Sequence, residues 1–284
     1  MNSKKESITL KEVVKMSEIN WETPESAARY DQNCDHQFQK GQELIKMMEI
    51  KEGDFVLDIG CGTGRQAVNV SNIIGSSGQL TGIDPSSHRI ELARKKFDDD
   101  FPLNVRFIVG QAENLSAIAN NSINNAYFCS SFHWIDDKKV ALSEVYRVLK
   151  QGGKVGMTTL DSDDPSMMRT IMNPIFAKYN ITISYDPFQK FKRVNALELY
   201  NLLSEAGFTS ILIEPRNIPR RYRSPTEILK SLEERDSSEG HLKGIPIEIW
   251  EKIKQEITEE LEKAQVPTQI GYGSVTLFAI ATKP

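Results

Sequence analysis

Several features are scarce in this chain of 284 residues, and each scarcity removes a class of protein. Its three cysteines, Cys34, Cys61 and Cys129, are odd in number and far apart. They make neither a disulfide framework nor a C-x-x-C metal site, and a reducing compartment is the simpler reading. No stretch reaches the roughly 18 consecutive apolar residues of a membrane span. Residues 1–20 are polar and mixed in charge, without the apolar core of a signal peptide, so a cytoplasmic protein is expected. No long basic block exists, and 35 Lys+Arg against 39 Asp+Glu leaves a net charge of −4. That balance disfavours a phosphate-tracking surface and hence nucleic acid as a partner. Solenoid repeats and low-complexity tracts are also missing. What is present, 39% hydrophobic and 26% charged residues, suits an ordinary globular chain and excludes disorder, collagen and coiled coil. The length fits either two units or one α/β domain of about 200 to 250 residues with additions.

Short β-branched runs alternate with helical stretches from about residue 40 to 160, the pattern of a parallel sheet with crossover helices. A helix over 39–49 leads into a first buried strand at 55–59. A helix over 65–74 ends near Gly75 and is followed by a strand at 79–83. Pro85 and Ser86 stand where a helix over 87–97 starts, and strands follow at 105–109 and 125–129. The spacing of Val140, Leu142, Val145, Val148 and Leu149 predicts a helix over 138–149, and a Gly152-Gly153 turn opens a fifth strand at 154–159. Residues 161–194 hold Pro165, Pro174 and Pro187 without a period and read as a loop or broken-helix insertion. An amphipathic helix at 196–206 then stops at Gly207, before a sixth strand at 210–214. Two polar helices near 225–235 and 246–264 precede a last strand at 274–282. The chain thus divides into an N-terminal helical lid segment (1–40), an α/β core (41–160), an acceptor-side insertion (161–194) and the rest of the core (195–284). A helical cap occupies about 216–272 of that last part, and a second hydrophobic core is not required.

Asp58-Ile59-Gly60-Cys61-Gly62-Thr63-Gly64 lies directly between a strand and a helix. Its glycines allow a sharp turn close to a ligand, and the helix behind offers free N–H groups. A dinucleotide site would carry G-x-G-x-x-G, but position 65 is Arg65. The tighter G-x-G-x-G, preceded by an acid, suits a ligand with a cationic amino-acid end and no pyrophosphate, with Asp58 as partner of the ammonium. At the end of the second strand Asp84, before Pro85, can accept both ribose hydroxyls of a nucleoside. One strand further, Gly110-Gln111-Ala112-Glu113 can read an adenine edge. Three strand ends converge on one nucleoside.

The set V-L-D-I-G-C-G-T-G, G-I-D-P, G-Q-A-E-N-L and L-K-Q-G-G-K, in this order, resembles the class I S-adenosylmethionine-dependent methyltransferases over roughly residues 25–160. Ser130 to Asp136, with Ala28-Arg29-Tyr30-Asp31, more narrowly resembles the branch containing trans-aconitate methyltransferases and related small-molecule enzymes. The resemblance implies a Rossmann-like seven-stranded sheet, mostly parallel with an antiparallel last strand, and S-adenosyl-L-methionine as cofactor. It also implies that Asp58 with Gly60, Cys61, Gly62 and Gly64 holds the methionine moiety. Asp84 and Pro85 would take the ribose, Gln111, Ala112 and Glu113 the adenine, with Ser130 in the same pocket. Family members often have Asp in place of Gln111, so adenine readout rests here on the Ala112 amide and on Gln111 as an amide.

His133, beside Trp134 just past the fourth strand, is read either as a base for a substrate hydroxyl or amine or as a packed residue shaping the donor pocket. A carboxylate acceptor needs no base, since it is already ionised at neutral pH. Tyr30 either closes over the sulfonium or touches substrate, or is a core aromatic; Trp21 is a weaker candidate of the same kind. Cys61 and Cys129 occupy small buried positions and are not nucleophiles. Arg216, Arg220, Arg221 and Arg223 form a solvated strip or attract an anionic substrate. Phe176, Tyr179, Tyr185, Phe188 and Phe191 pack the insertion or line an apolar acceptor pocket. The leading reading is direct methyl transfer to a small-molecule acceptor (carboxylate, hydroxyl or amine), without a metal, by a monomer or homodimer. An RNA methyltransferase and a non-catalytic S-adenosylmethionine-binding regulatory protein are the alternatives, and the glycine register disfavours a dehydrogenase.

Overall fold

A computed structural model describes residues 22–97, 104–164, 167–179, 181, 192–218, 220–222, 224–236, 245–263, 270–272 and 275–284. The chain separates into two compact units, one of them formed by Trp21–Asp164, Phe191–Ile218 and Val275–Pro284. In this unit helices α1 (Pro24–Asn33) and α2 (Asp35–Met48) precede β1 (Phe55–Ile59), α3 (Arg65–Ile74), β2 (Gln79–Asp84), α4 (Ser87–Lys95) and β3 (Val105–Val109). Then come β4 (Ile123–Cys129), α5 (Lys138–Val148) and β5 (Leu149–Leu160). Helix α7 (Ala196–Glu205), β6 (Thr209–Asn217) and β9 (Val275–Thr282) complete it.

The seven strands lie in the order β3-β2-β1-β4-β5-β9-β6. Strands β1 to β5 pair in parallel, while β9 runs antiparallel to both β5 and β6, so the last strand is the reversed one. Strands buried on both faces read as apolar runs because each face must meet a helix layer. Leu57, Ile59, Phe128, Val155, Met157 and Ala279 belong to one cluster, with Leu142 and Val145 of α5 and Leu199 and Leu203 of α7. Val56, Leu80, Tyr127 and Phe278 belong to the other, with Leu44, Ile45 and Met48 of α2 and Val70 of α3. The chain reverses winding direction between β1 and β4, and ligands of open α/β sheets bind beyond the strand ends at such a point.

Most elements fall where the apolar spacing predicts them, and the departures have local causes. Helix α2 starts at Asp35, ahead of the expected residue 39, because the Phe38 amide already donates to the Cys34 carbonyl at 2.9 Å. Strand β5 starts at Leu149, ahead of the expected residue 154, and is interrupted by the turn at Gly152-Gly153, where Gly152 has a φ of +74°. Its register against β4 shifts between Ile123 and Asn125, and the two glycines pair with Lys283, whose carbonyl and amide take part at 2.8 and 2.9 Å.

The second unit includes α6 (Met167–Lys178), β7 (Arg220–Tyr222), α8 (Pro225–Asp236), α9 (Ile247–Lys263) and β8 (Ile270–Tyr272). Strands β7 and β8 form an antiparallel ribbon that the sequence does not announce. The insertion at 161–194 holds a helix despite Pro174. Ile175 and Phe176 of α6, Ile228 and Leu229 of α8, and Trp250, Ile253 and Ile257 of α9 form a hydrophobic core of their own. The Lys178 ammonium and the Tyr179 hydroxyl both reach Glu256, at 2.7 and 2.6 Å. A second core, not required by the sequence pattern, is therefore present.

Lys283 closes the edge of the sandwich in the first unit. Its buried ammonium donates to Asn121 Oδ1 and to the carbonyls of Tyr146 and Leu149, at 2.8, 2.8 and 2.7 Å. Removing a buried donor strands the acceptors it served. Lys283→Met is expected to lower stability by about 1–3 kcal/mol in urea unfolding; an unchanged midpoint and slope would refute the role of this triple contact.

Candidate functional site

The site is built at the carboxyl ends of β1, β2, β3 and β4. In parallel register Asp58 pairs with Gly82 and Ile59 with Ile83, which places the loop after β1 against the end of β2. The Ile83 carbonyl accepts the amides of Gly60 and Cys61, at 2.7 and 3.0 Å. The Asp84 carboxylate accepts the Gly62 amide at 2.9 Å through Oδ2 and the Ser86 amide at 3.0 Å through Oδ1. Gly60 has a φ of +73°, and a Cβ there would lie 2.4 Å from the Ser131 Cβ, so no other residue fits. Ser131 itself donates to the Ile59 carbonyl at 2.5 Å.

Asp58 is 1% exposed on β1. The Tyr127 hydroxyl approaches it from β4, yet neither carboxylate oxygen accepts a hydrogen bond of good geometry. Burial raises its pKa to about 7, an effect that Tyr127 only partly offsets. Asp84 is also pushed upward by burial, opposed chiefly by the Arg89 guanidinium and then by its two amide donors. Burial keeps the thiols of Cys61 and Cys129 protonated, which agrees with their reading as small packed residues.

Tyr30 lies on α1 beside this loop. A Cβ at Gly62 would meet its ring at 3.2 Å, and the Arg89 guanidinium stacks 4.9 Å from the ring centroid. The next residue, Asp31, accepts the Thr63 hydroxyl and pairs with Lys96 at 2.6 Å, so α1 is tied to both the glycine loop and α4. After β3, Gln111 is exposed and Ala112 buried, while Glu113 accepts the amides of Asp136 and Asp137 at 3.1 and 3.2 Å. Glu113 is thus engaged in holding the loop that follows β4. Pro85 is exposed beside Asp84.

Ser130 directly follows β4 with a φ of +56°, its amide donating to Thr158 Oγ1 at 2.9 Å. A serine held in the left-handed region is a local strain of the kind that gathers at functional sites. His133 follows in a 3-10 turn, Phe132–Trp134, and is 5% exposed. Burial first, then the charges of Arg193, Lys40 and Lys138, lower its pKa to about 3.

The structure thus brings Asp58, the glycine loop, Asp84 and Tyr30 together, and sets the 111–113 segment and Ser130 at the same sheet edge. Arg216 is occupied by Glu43 and Glu214, at 3.1 and 2.5 Å, and lies on the Phe278 ring. Phe176 and Tyr179 pack within the second unit. Trp21, Tyr185, Phe188, Phe191, Arg223 and the side chains of Arg220 and Arg221 lie outside the described residues. Among the described residues no three His, Cys, Asp or Glu side chains gather as a metal would need, and no helix is long and apolar enough to cross a membrane.

Sequence reasoning missed Tyr127, Arg89 and Lys40. Tyr127 reads as one more apolar residue of a strand. Lys40 had a signal: it stands four residues before Leu44 and eight before Met48, on the buried stripe of α2.

Residues 56–153 match the family model described as a methyltransferase domain. An O-methyltransferase of Penicillium expansum is 32% identical over 161 residues, covering 56% of this chain and 54% of that one. A demethylmenaquinone methyltransferase of Listeria monocytogenes is 28% identical over 185 residues, covering 60% and 76%. The chain spans little more than half the length of the first of these relatives. In fold it is similar to the phosphoethanolamine N-methyltransferase 2 of Haemonchus contortus, solved with S-adenosyl-L-methionine, at a TM-score of 0.61 and 18% identity over 93% of this chain and 58% of that one. Strand order, glycine loop and matched segment together define the class: residues 56–153 carry a methyltransferase domain, set in a Rossmann-like seven-stranded sheet. The narrower likeness to trans-aconitate methyltransferases is not confirmed by these relatives.

The buried Asp58 makes a pH prediction. Its folded pKa stands above the unfolded value of about 3.9, so between roughly pH 4 and 7 the folded state holds a proton that the unfolded state has released. The ligand-free protein should lose up to about 1.4 kcal/mol per unit of rising pH in that window from this one group. Asp58→Asn removes the contribution, so the difference between the two proteins in urea unfolding should grow with pH up to about 7 and then level; a flat difference would contradict the assignment.

Proposed function

We propose that the chain transfers a methyl group from S-adenosyl-L-methionine to a small-molecule acceptor by direct displacement. The observation that carries this is the convergence, at the switch point of the sheet, of a buried carboxylate without a well-formed hydrogen bond, a glycine loop and a second buried carboxylate. These groups fit the cofactor. Asp58 is costly to keep ionised where it is, and a cationic ammonium end offsets that cost. Asp84 spends one hydrogen bond on each oxygen and keeps acceptor capacity for two ribose hydroxyls. The loop at Gly60–Gly64 lets backbone approach the donor between them, with Tyr30 packed over Gly62. The Ala112 amide and Gln111 serve the adenine, and Ser130 lines the same pocket, whereas Glu113 acts through the Asp136–Asp137 backbone.

When bound, the cofactor supplies an electrophilic methyl carbon on a sulfonium. The protein's work is to orient acceptor against donor and to exclude water. Tyr30 and the α1 contacts of Asp31 with Thr63 and Lys96 cover the loop from outside. A small acceptor accords with the net charge of −4 and the absence of a long basic block.

Isothermal titration with S-adenosylmethionine tests the donor half. Binding should weaken about tenfold or more in Asp84→Ala, the loss expected when hydrogen bonds to a charged acceptor are removed. It should also weaken in the unaltered protein as pH falls below about 7, because Asp58 must release its proton to meet an ammonium. No heat from the unaltered protein would sink the donor assignment. The acceptor half is tested by incubation with cell extract and labelled donor: label confined to RNA would overturn the choice of a small molecule.

A further inference from the structure

Gln66, the second residue of α3, is 7% exposed, and neither polar atom of its carboxamide has a hydrogen-bond partner among the described residues. An amide hidden in that way costs free energy in the ligand-free protein, whereas an apolar residue of the same shape does not. The space beside it is kept open from α2. A Cβ at Gly41 would lie 2.8 Å from Gln66 Oε1 and 3.0 Å from Cys129 Sγ. Cys129 is the last residue of β4 and feels the Asp58 carboxylate. Asp58 alternates with Leu57 and Ile59, which face α5 and α7, so its side chain lies on the opposite face, with Val56 and Tyr127 under α2 and α3. Two buried polar groups without a well-formed hydrogen bond thus share one face and one end of the sheet, a carboxylate on β1 and a carboxamide on α3. Helix α3 opens at the same place. Its cap, Gly64, has no side chain to accept the first amides, and Arg65 beside it is engaged with Asp35 at 2.6 Å and with the Phe38 ring at 4.9 Å.

We infer that Gln66 is a specificity-determining residue that reads, together with Asp58, the amino-acid end of the methyl donor, its carboxamide N–H donating to the donor's carboxylate. This rests on the donor reading above and adds to it a residue outside the glycine loop. The ligand chemistry follows from the groups present. A carboxylate is favoured at the open N-terminus of a helix and by a carboxamide donor, and an ammonium is favoured by the Asp58 carboxylate. A zwitterion supplies both charges at once. Gln66 suits it, because one carboxamide carries an N–H donor for the carboxylate and an oxygen acceptor for the ammonium. A nucleoside that lacks the amino-acid end leaves Gln66 and Asp58 as they are in the ligand-free protein and gains nothing from either. Gly41 contributes by what it omits, since a side chain there would crowd the carboxamide.

Calorimetric titration of the full chain with two ligands provides the test. S-adenosylhomocysteine carries the amino-acid end, and 5′-methylthioadenosine keeps the adenosine and the thioether without it. Gln66→Leu should weaken S-adenosylhomocysteine about tenfold, the loss typical of a hydrogen bond to a charged group, and should change 5′-methylthioadenosine by less than about twofold. The ligand-free Gln66→Leu protein should unfold in urea at an unchanged or higher midpoint, because the substitution removes a polar group that had no partner. Gln66→Met carries the same test if Gln66→Leu does not fold. Two results would overturn the inference: S-adenosylhomocysteine affinity within about twofold of the unaltered protein, or losses of equal size for the two ligands. Where 5′-methylthioadenosine binds too weakly to be read, the urea midpoint decides, and a fall that accompanies the loss of S-adenosylhomocysteine affinity overturns the inference. Failure of both ligands to bind the unaltered protein would instead overturn the donor reading, and this one with it.

Discussion

The Ile83 carbonyl, accepting the amides of both Gly60 and Cys61, is the contact on which the site hangs. It fastens the loop after β1 to the end of β2, and the Asp84 carboxylate repeats the fastening one residue further on, at the Gly62 amide. Loops that carry function must be positioned by something rigid. Here the parallel pairing of β1 with β2 sets the height of the loop, and these hydrogen bonds leave it little freedom. Asp58 and Asp84 then face one crevice as a consequence of register, not of sequence proximity.

A second constraint follows from burial. Carboxylates and ammonium groups are normally solvated, and each one hidden at a sheet edge costs free energy unless something compensates. The first unit hides Asp58 and Asp84 at the carboxyl ends of β1 and β2. A ligand with a cationic end would offset the cost at Asp58. By contrast the buried Lys283 has three hydrogen-bond acceptors of its own and serves the frame of the sheet.

The fold was largely legible in the chain because strands buried on both faces leave a strong signal. The runs at 55–59, 79–83 and 105–109 could hardly be anything else. Long-range pairing was less so. The Gly152-Gly153 turn is present, but that Lys283, distant in sequence, pairs with both glycines is not legible locally. The β7–β8 ribbon and the core shared by α6, α8 and α9 also depend on contacts between segments far apart in the chain, which no local period records. Of the arginine run at 216–223, read from sequence as a solvated strip or an anion site, Arg216 is engaged by Glu43, Glu214 and the Phe278 ring.

By itself the sequence determined the class. An acid before G-x-G-x-G, a second acid at the next strand end and their order along alternating strands and helices suffice for an α/β domain of the methyltransferase kind, because backbone conformation and strand alternation are local properties. Only the tertiary structure decided which polar groups lost their solvent. It hid Tyr127 beside Asp58, turned Glu113 onto the Asp136 and Asp137 amides, and set Lys40 and Arg193 about His133. Electrostatic character belongs to a place in the fold, since burial and neighbours from several elements fix it together, and no single segment carries that information.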